Sequence, residues 1–482
     1  MAEASQWYVD SSSGSDINAG THTGSAKASG SLAQITMGFG TFEVEQSGAF
    51  SSYTHAAGDM LRVRNVGAMG GVVRGIYPIA SKTSNDVVVC TGDAGDSMMN
   101  YDILWSINGA WATAKFAIET GVPSISVNKD QKDTINGDQI NLKGSFTPSA
   151  TIDFSALGAT NSVAAPIILR GYTSTKNDGG VATLSGAGAR TIINAGTTGT
   201  GGNFNCFCDL TFENCAGDIV AVLNDKNFIV RCSFKTNTVS GLKIGANNVV
   251  YDCFFYKLGG GSSYALECFD KQNIIMCSTF DKDTTSPAAM IKTFGDPATM
   301  LINNIIKVDG ATDGVYNGAS KLIMIGNSIA SVGGTGSGVT GGTSNRQITL
   351  INNAVQGFSG VGGIAYDILT LWNVMVFAGN TAHNNTKHYT ASNDGSVEGQ
   401  HGDVFLDIGD NESIGGGSTI FADVSASTDD FLPEDVGNMI AGAFPTTFLG
   451  LSLTNYKDKG ALDKQSSGGA SGSASWSSTG MF

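Results

Sequence analysis

Val230-Arg-Cys232-Ser-Phe234, Tyr251-Asp-Cys253-Phe-Phe255 and Ile275-Met-Cys277-Ser-Thr279 are copies of one short pattern. Ile302-Asn-Asn304-Ile-Ile306, Ile325-Gly-Asn327-Ser-Ile329 and Ile351-Asn-Asn353-Ala-Val355 repeat it. Each copy reads apolar, any residue, Cys or Asn, any residue, apolar. The central positions lie 21, 24, 27, 23 and 26 residues apart. Looser copies flank the series, Cys206-Phe-Cys208-Asp-Leu210 before it and Leu371-Trp-Asn373-Val-Met375 after it. A recurring stretch of this length marks a solenoid. The leucine-rich consensus of similar length is absent, and no helical 3.6-residue period runs through the copies. The pattern predicts a parallel β-helix, with about three short strands per coil and coils stacked at roughly 4.8 Å.

Period-2 alternation places the central Cys or Asn on the inward face with its apolar flanks. The expected structural ladder is therefore Cys208, Cys232, Cys253, Cys277, Asn304, Asn327, Asn353 and Asn373. Stacked Asn side chains can satisfy one another along the axis. Cys behaves there as a small hydrophobe, so free thiols are expected rather than disulfides. No Cys-x-x-Cys pair exists to hold zinc.

Strand-then-corner segments upstream, Asp138–Gly144, Pro166–Gly171 and Thr191–Asn194, extend the series. They predict a rod from about 122 to 380, with about eleven coils. Solenoid ends need caps. Trp111–Glu119 has an amphipathic helical pattern and predicts an N-terminal cap helix at about 110–120.

The composition agrees with a chain of strands and corners. Among 482 residues there are 65 Gly and only 8 Pro, with no Gly-X-Y period, which excludes collagen. An apolar content of 41% excludes wholesale disorder. The net charge of −15 disfavours nucleic acid and anionic membrane as partners. Residues 391–482 carry 13 Asp/Glu against 3 Lys, so most of that charge lies near the C-terminus. No apolar run approaches the ~20 residues of a membrane span, so no membrane insertion is expected. Met1–Gln6 has neither the basic nor the apolar region of a secretory signal.

Four regions follow: 1–39, an N-terminal strand and entry segment; 40–104, a small inserted β-domain; 105–380, the β-helix with its cap; and 381–482, an acidic C-terminal region. The last ends in a Gly/Ser-rich tail from Ser467 to Phe482. In the second region three strand-like runs include Arg62, Arg64 and Arg74. These are read either as a solvated sheet face or as a docking patch for an acidic partner.

Trp7-Tyr-Val-Asp-Ser-Ser-Ser-Gly-Ser-Asp16 resembles the opening strand of right-handed parallel β-helix proteins of the pectate-lyase-like superfamily. Ala112-Thr113 with Ala117 is similar to their cap helix, and Gly137-Asp-Gln-Ile-Asn-Leu142 to their first coil. Tyr456-Lys-Asp-Lys-Gly460-Ala461 is similar to their closing segment. These motifs specify fold rather than reaction. The superfamily includes polysaccharide lyases, glycoside hydrolases, adhesins and bacteriophage tailspikes. The resemblance implies a homotrimeric tailspike- or fibre-like virion protein that meets other virion proteins and host-surface polysaccharide. It would assemble in the host cytoplasm and act on the virion surface. Two alternatives stay open: a polysaccharide lyase or glycoside hydrolase, and a capsid-decorating or assembly protein without glycan activity.

Glycoside hydrolysis needs two carboxylates across a cleft. The coils offer Asp218, Asp252, Glu267, Asp270, Asp281 and Asp283, with Asp281 and Asp283 also readable as a solvated loop. Tyr256, Tyr264, Phe269 and Trp372 are candidate platforms for sugar stacking. His383, His388 and His401, near Asp394, Glu398 and Asp403, are read as a loop or as a metal set, although their spacing matches no known ligand pattern. No cofactor is expected: Gly333–Gly342 lacks the Asp of calcium-binding repeats and the Gly-Lys-Ser/Thr of a phosphate loop. No Gly-x-Ser-x-Gly elbow accompanies a catalytic triad.

Overall fold

Short runs of β-branched and aromatic residues, each ended by Asn, Asp or Gly, form strands too short to be stable alone. In the computed structural model of the chain they are stabilised by stacking on their own repeats. The structure describes residues 6–110 and 139–390 with short gaps, the longest at 16–20, 66–74, 92–102, 155–165, 195–202, 342–347 and 369–374. It also describes Ala112 and, beyond residue 390, the backbone of six short strands. The fold is all-β, a parallel β-solenoid of about 7 turns. No α-helix occurs among the described residues. The expected cap helix falls almost wholly outside them, and no described helix is long and apolar enough to cross a membrane.

The chain divides into two compact units. The first comprises Met1–Asn214 and Val220–Asn227. Its N-terminal strand, Gln6–Asp10, pairs in parallel with Gln139–Lys143, aligning Trp7 with Ile140 and Val9 with Leu142. Ile167–Tyr172 and Asn205–Cys208 continue that ladder. Gly171 has no room for a side chain: a Cβ there would lie 2.0 Å from the Asp209 carbonyl oxygen.

The same unit holds a seven-stranded antiparallel sheet. Its spatial order is Ala28–Gly30, Ile103–Ile107, Met60–Asn65, Gly75–Lys82, Val87–Thr91, Thr41–Glu45 and Gln34–Met37. Phe42, Val44, Phe50, Leu61, Val88 and Trp105 form its core. The buried Asp59 beside this core accepts hydrogen bonds from Lys27 Nζ (2.6 Å), Asn108 Nδ2 (2.6 Å), the Ala56 N–H (2.8 Å) and Tyr53 OH (2.8 Å). Burial alone would raise its pKa, but these bonds outweigh burial and hold the carboxyl well below its ordinary value.

The second unit, Cys215–Ile219 with Phe228–Phe482, carries the repeats first noticed in the sequence. Its three ladders are traced by Val249–Tyr251 on Ile274–Met276, Phe254–Leu258 on Thr279–Asp281, and Tyr264–Cys268 on Ala289–Thr293. Phe234, Phe255 and Phe280 stack along the core at centroid distances of 4.9 and 4.4 Å. Ile306, Ile329 and Val355 continue that column in register.

The ladder departs from the sequence expectation at the corner. The polar residue does not lie within one strand between two inward apolar residues. It follows a residue in the left-handed region, with φ of 50–56° at Arg231, Asp252, Cys277, Asn303 and Asn352, and with Gly326 and Gly379 in the same place. That residue breaks the alternation between two successive strands. The inward apolar positions are therefore three before and two after the ladder residue, as in Val250 and Phe255 around Cys253. Tyr251, two before it, is half-buried.

Cys232, Cys253, Asn304, Asn327 and Asn353 occupy the corner position, each after a left-handed residue. Cys277 does not: it is itself the left-handed residue, and Ser278 takes the ladder place. Asn373 lies outside the described residues, and Asn380 holds the next position. Cys208 ends a strand, in register with Arg170, just before the left-handed Asp209, so Leu210 rather than Cys208 takes the corner position. The Asn column is continuous: Asn304 Nδ2 donates to Asn327 Oδ1 (3.0 Å), Asn327 Nδ2 to Asn353 Oδ1 (2.9 Å), and Asn353 Nδ2 to Asn380 Oδ1 (3.0 Å). A second Asn column precedes the first-ladder strands, where Asn248 Nδ2 donates to Asn273 Oδ1 at 3.3 Å.

Candidate functional site

In the third ladder of the second unit, alternation about the inward apolar row decides which residues lie on its outer face. Leu242, Leu266, Ile291, Val315 and Val339 point inward and are fully buried. Lys243, Glu267, Lys292, Tyr316, Thr340 and Asp367 lie in register on the opposite face. Glu267 sits between two ammonium groups, 3.0 Å from Lys292 Nζ and 3.9 Å from Lys243 Nζ. Lys292 Nζ also lies 4.2 Å from the Tyr264 ring centroid and 4.3 Å from that of Phe294. Lys243 Nζ is 5.6 Å from the Phe269 ring centroid. Burial works against the Lys292 charge, but bonding to Glu267 and Tyr264 outweighs it and raises its pKa. Phe269 is 43% exposed, leaving an accessible aromatic surface beside these fixed charges.

Further along the same ladder, Asp313 Oδ1 accepts the Ser337 N–H at 2.7 Å. Burial raises the Asp313 pKa to about 6, and the Asp367 charge adds to the rise; bonds from Ser337 and Thr340 oppose it. This carboxyl can hold a proton close to neutral pH.

The second ladder has a separate outer cluster. Tyr256 OH donates to Asp283 Oδ2 at 2.7 Å, and Lys257 Nζ approaches the same oxygen at 2.7 Å. The Tyr256 ring is stacked on Phe254 at 5.8 Å. Bonds from Lys257 and Tyr256 lower the Asp283 pKa. Tyr256, Asp281 and Lys307 align along this face.

The residues expected from sequence thus separate into groups. Glu267, Tyr264 and Phe269 belong to the third-ladder face, while Tyr256, Asp281 and Asp283 belong to the second. Asp252 is a left-handed corner residue, and the Asp270 carbonyl accepts a bond from Asn273 Nδ2 at 2.8 Å. Asp218, Trp372 and His401 lie outside the described residues. His383 is buried and in register with Gln356, while His388 falls on the strand Lys387–Thr390. Among the described residues no group of three or more His, Cys, Asp or Glu could hold a metal. Arg62 is buried, so its guanidinium does not present the open docking surface expected of it; Arg64 lies on the same strand and Arg74 outside the described residues.

Sequence reading missed Lys292, Asp313 and Asp367. The apolar-x-apolar or apolar-x-small triplets Leu242-Lys-Ile244, Leu266-Glu-Cys268 and Ile291-Lys-Thr293 carry the signal, since their middle residues form the outer row.

No protein-family model matches this chain, and no curated protein matches it.

Proposed function

We propose that the chain is a right-handed, pectate-lyase-like β-helix protein that acts as a tailspike- or fibre-like component of a virus particle. In this reading the outer face of the third ladder binds host-surface glycans. The cap helix at about 110–120 covers the start of the rod, the segment 40–104 is a grafted β-domain, and the protein is a homotrimer contacting other virion proteins. The observation that carries the glycan assignment is the juxtaposition of Tyr264, Phe269 and Phe294 with Lys243, Glu267 and Lys292. Aromatic rings suit the apolar faces of sugars, and fixed carboxylate and ammonium groups suit their hydroxyls.

The test is binding of the full chain to a panel of bacterial surface polysaccharides, with its oligomeric state measured alongside. Phe269→Ala should weaken binding at least tenfold, and Tyr256→Ala on the second ladder should leave it unchanged. Equal binding by wild type and Phe269→Ala would refute the assigned face. No binding to any glycan by a particle-associated trimer would favour a decorating or assembly role.

A second reading, glycan cleavage, is favoured by Asp313 alone, because its raised pKa suits a general acid. It predicts depolymerisation by wild type and at least a hundredfold slower cleavage by Asp313→Asn, with binding retained.

A further inference from the structure

Cys206 and Cys208 stand apart from the other described cysteines. They occupy alternate positions of the strand Asn205–Cys208, so both side chains leave the same face. Their sulfurs are 3.3 Å apart, in hydrogen-bond contact rather than covalently joined. Cys206 is half-buried, which gives one sulfur access to solvent. Arg170 is aligned with Cys208 on the adjoining strand and makes an ion pair with Asp209, Nε to Oδ2 at 3.6 Å. Its guanidinium also donates from Nη1 to Asn177 Oδ1 at 2.5 Å. A cation and a neighbouring S–H both stabilise a thiolate.

We propose that Cys206 and Cys208 form a redox-active dithiol, a modification site that low-molecular-weight disulfides convert into an intrastrand disulfide. Cys208 first gives its proton to water, and its thiolate then takes the Cys206 proton along the S–H···S contact. The half-buried Cys206 thiolate then attacks one sulfur of the small disulfide, forming a mixed disulfide and releasing a small thiolate that takes a proton from water. Cys208 loses its proton and attacks the Cys206 sulfur, expelling the second small thiol. Two protein thiols and one small disulfide thus give one protein disulfide and two small thiols. Two strand rises place these Cα atoms about 6.6 Å apart, near the wide limit for a disulfide. Such a bridge is of the reversible kind.

The remaining cysteines supply the contrast. The Cys208 pKa is lowered, chiefly by the Cys206 hydrogen bond against opposing burial, with Arg170 assisting and the Asp209 charge resisting. Burial pushes Cys90 up to about 12 and also raises Cys268 and Cys277. Cys232 and Cys253 donate to backbone carbonyls at their corners.

The test treats the full native chain with oxidised glutathione, blocks the remaining thiols and maps the peptides by mass spectrometry. The expected product lacks two hydrogens at Cys206–Cys208, forms at least tenfold faster than any adduct elsewhere, and reverts with dithiothreitol. In Cys208→Ser the reaction should stop at a glutathione adduct on Cys206. The proposal is overturned if both thiols stay alkylatable in wild type, or if wild type accumulates the Cys206 adduct that Cys208 never displaces. The wild-type result decides the matter even where a variant fails to fold.

Discussion

Asn327→Ala tests the physical basis of the stack most directly. The Asn327 Oδ1 accepts both the Asn304 N–H and Asn304 Nδ2, each at 3.0 Å. Its Nδ2 donates to the Leu301 carbonyl and to Asn353 Oδ1, each at 2.9 Å. Alanine removes these four bonds, and a longer one from Nδ2 to the Ile325 carbonyl at 3.3 Å, inside a fully buried corner. The Asn304 N–H loses its acceptor, which costs about 1–3 kcal/mol, and three further buried bonds at ~1 kcal/mol each bring the loss to about 4–6 kcal/mol. The comparison is Asn303→Ala, which keeps the ladder but asks alanine to hold a φ of 53°. That substitution should cost about 1 kcal/mol. Urea unfolding followed by circular dichroism gives both values, with the m-value showing whether the transition stays cooperative. A loss for Asn327→Ala no larger than that for Asn303→Ala, at unchanged m, would refute the claim that side-chain stacking holds the corners.

Asp59→Ala should destabilise the first unit by about 3 kcal/mol or more, because several buried donors lose their acceptor. Since the folded Asp59 pKa is depressed, its contribution is present above the unfolded carboxyl value and is lost as pH falls through the folded one; acid titration of wild type against Asp59→Asn checks this. Asp313 has the opposite sign. Its folded pKa of about 6 exceeds the unfolded value of 3.8, so its contribution is greatest in acid and declines as pH rises through that window. Asp313→Asn should abolish this decline, which totals about 3 kcal/mol across the window in wild type and is read from unfolding midpoints at several pH values.

The repeating Cys and Asn residues made the solenoid legible because a defect or success at one rung is copied at the next. Asn304, Asn327 and Asn353 carry the signal in both sequence and structure. The pattern misled at Cys277 for a specific reason. Alternation assumes one extended backbone, but a left-handed residue separates two strands at each corner and resets which side chains face inward. Cys277-Ser278 offers two small side chains to a position that either could fill. Only the registration of Ser278 between Cys253 and Asn304, through bonds of 3.1 and 3.0 Å, distinguishes them.

The outer faces were harder to read because their chemistry comes from different turns. Lys243, Glu267 and Lys292 are 24 or 25 residues apart in sequence, yet meet as neighbours on consecutive rungs. Counting carboxylates by coil gave Glu267 and Asp283 the same standing. Their surroundings give them different chemistry: two lysines flank a buried Glu267, whereas the less buried Asp283 shares one lysine with a tyrosine hydroxyl. The distinction depends on register to the single residue. Corners absorb differences in length, since repeats of 21 to 27 residues keep one strand register, so the charge partners are set by which strand residue occupies each outward position. Chemistry on such a scaffold is therefore encoded in the outward strand positions of consecutive rungs, which lie far apart in sequence and adjacent in space.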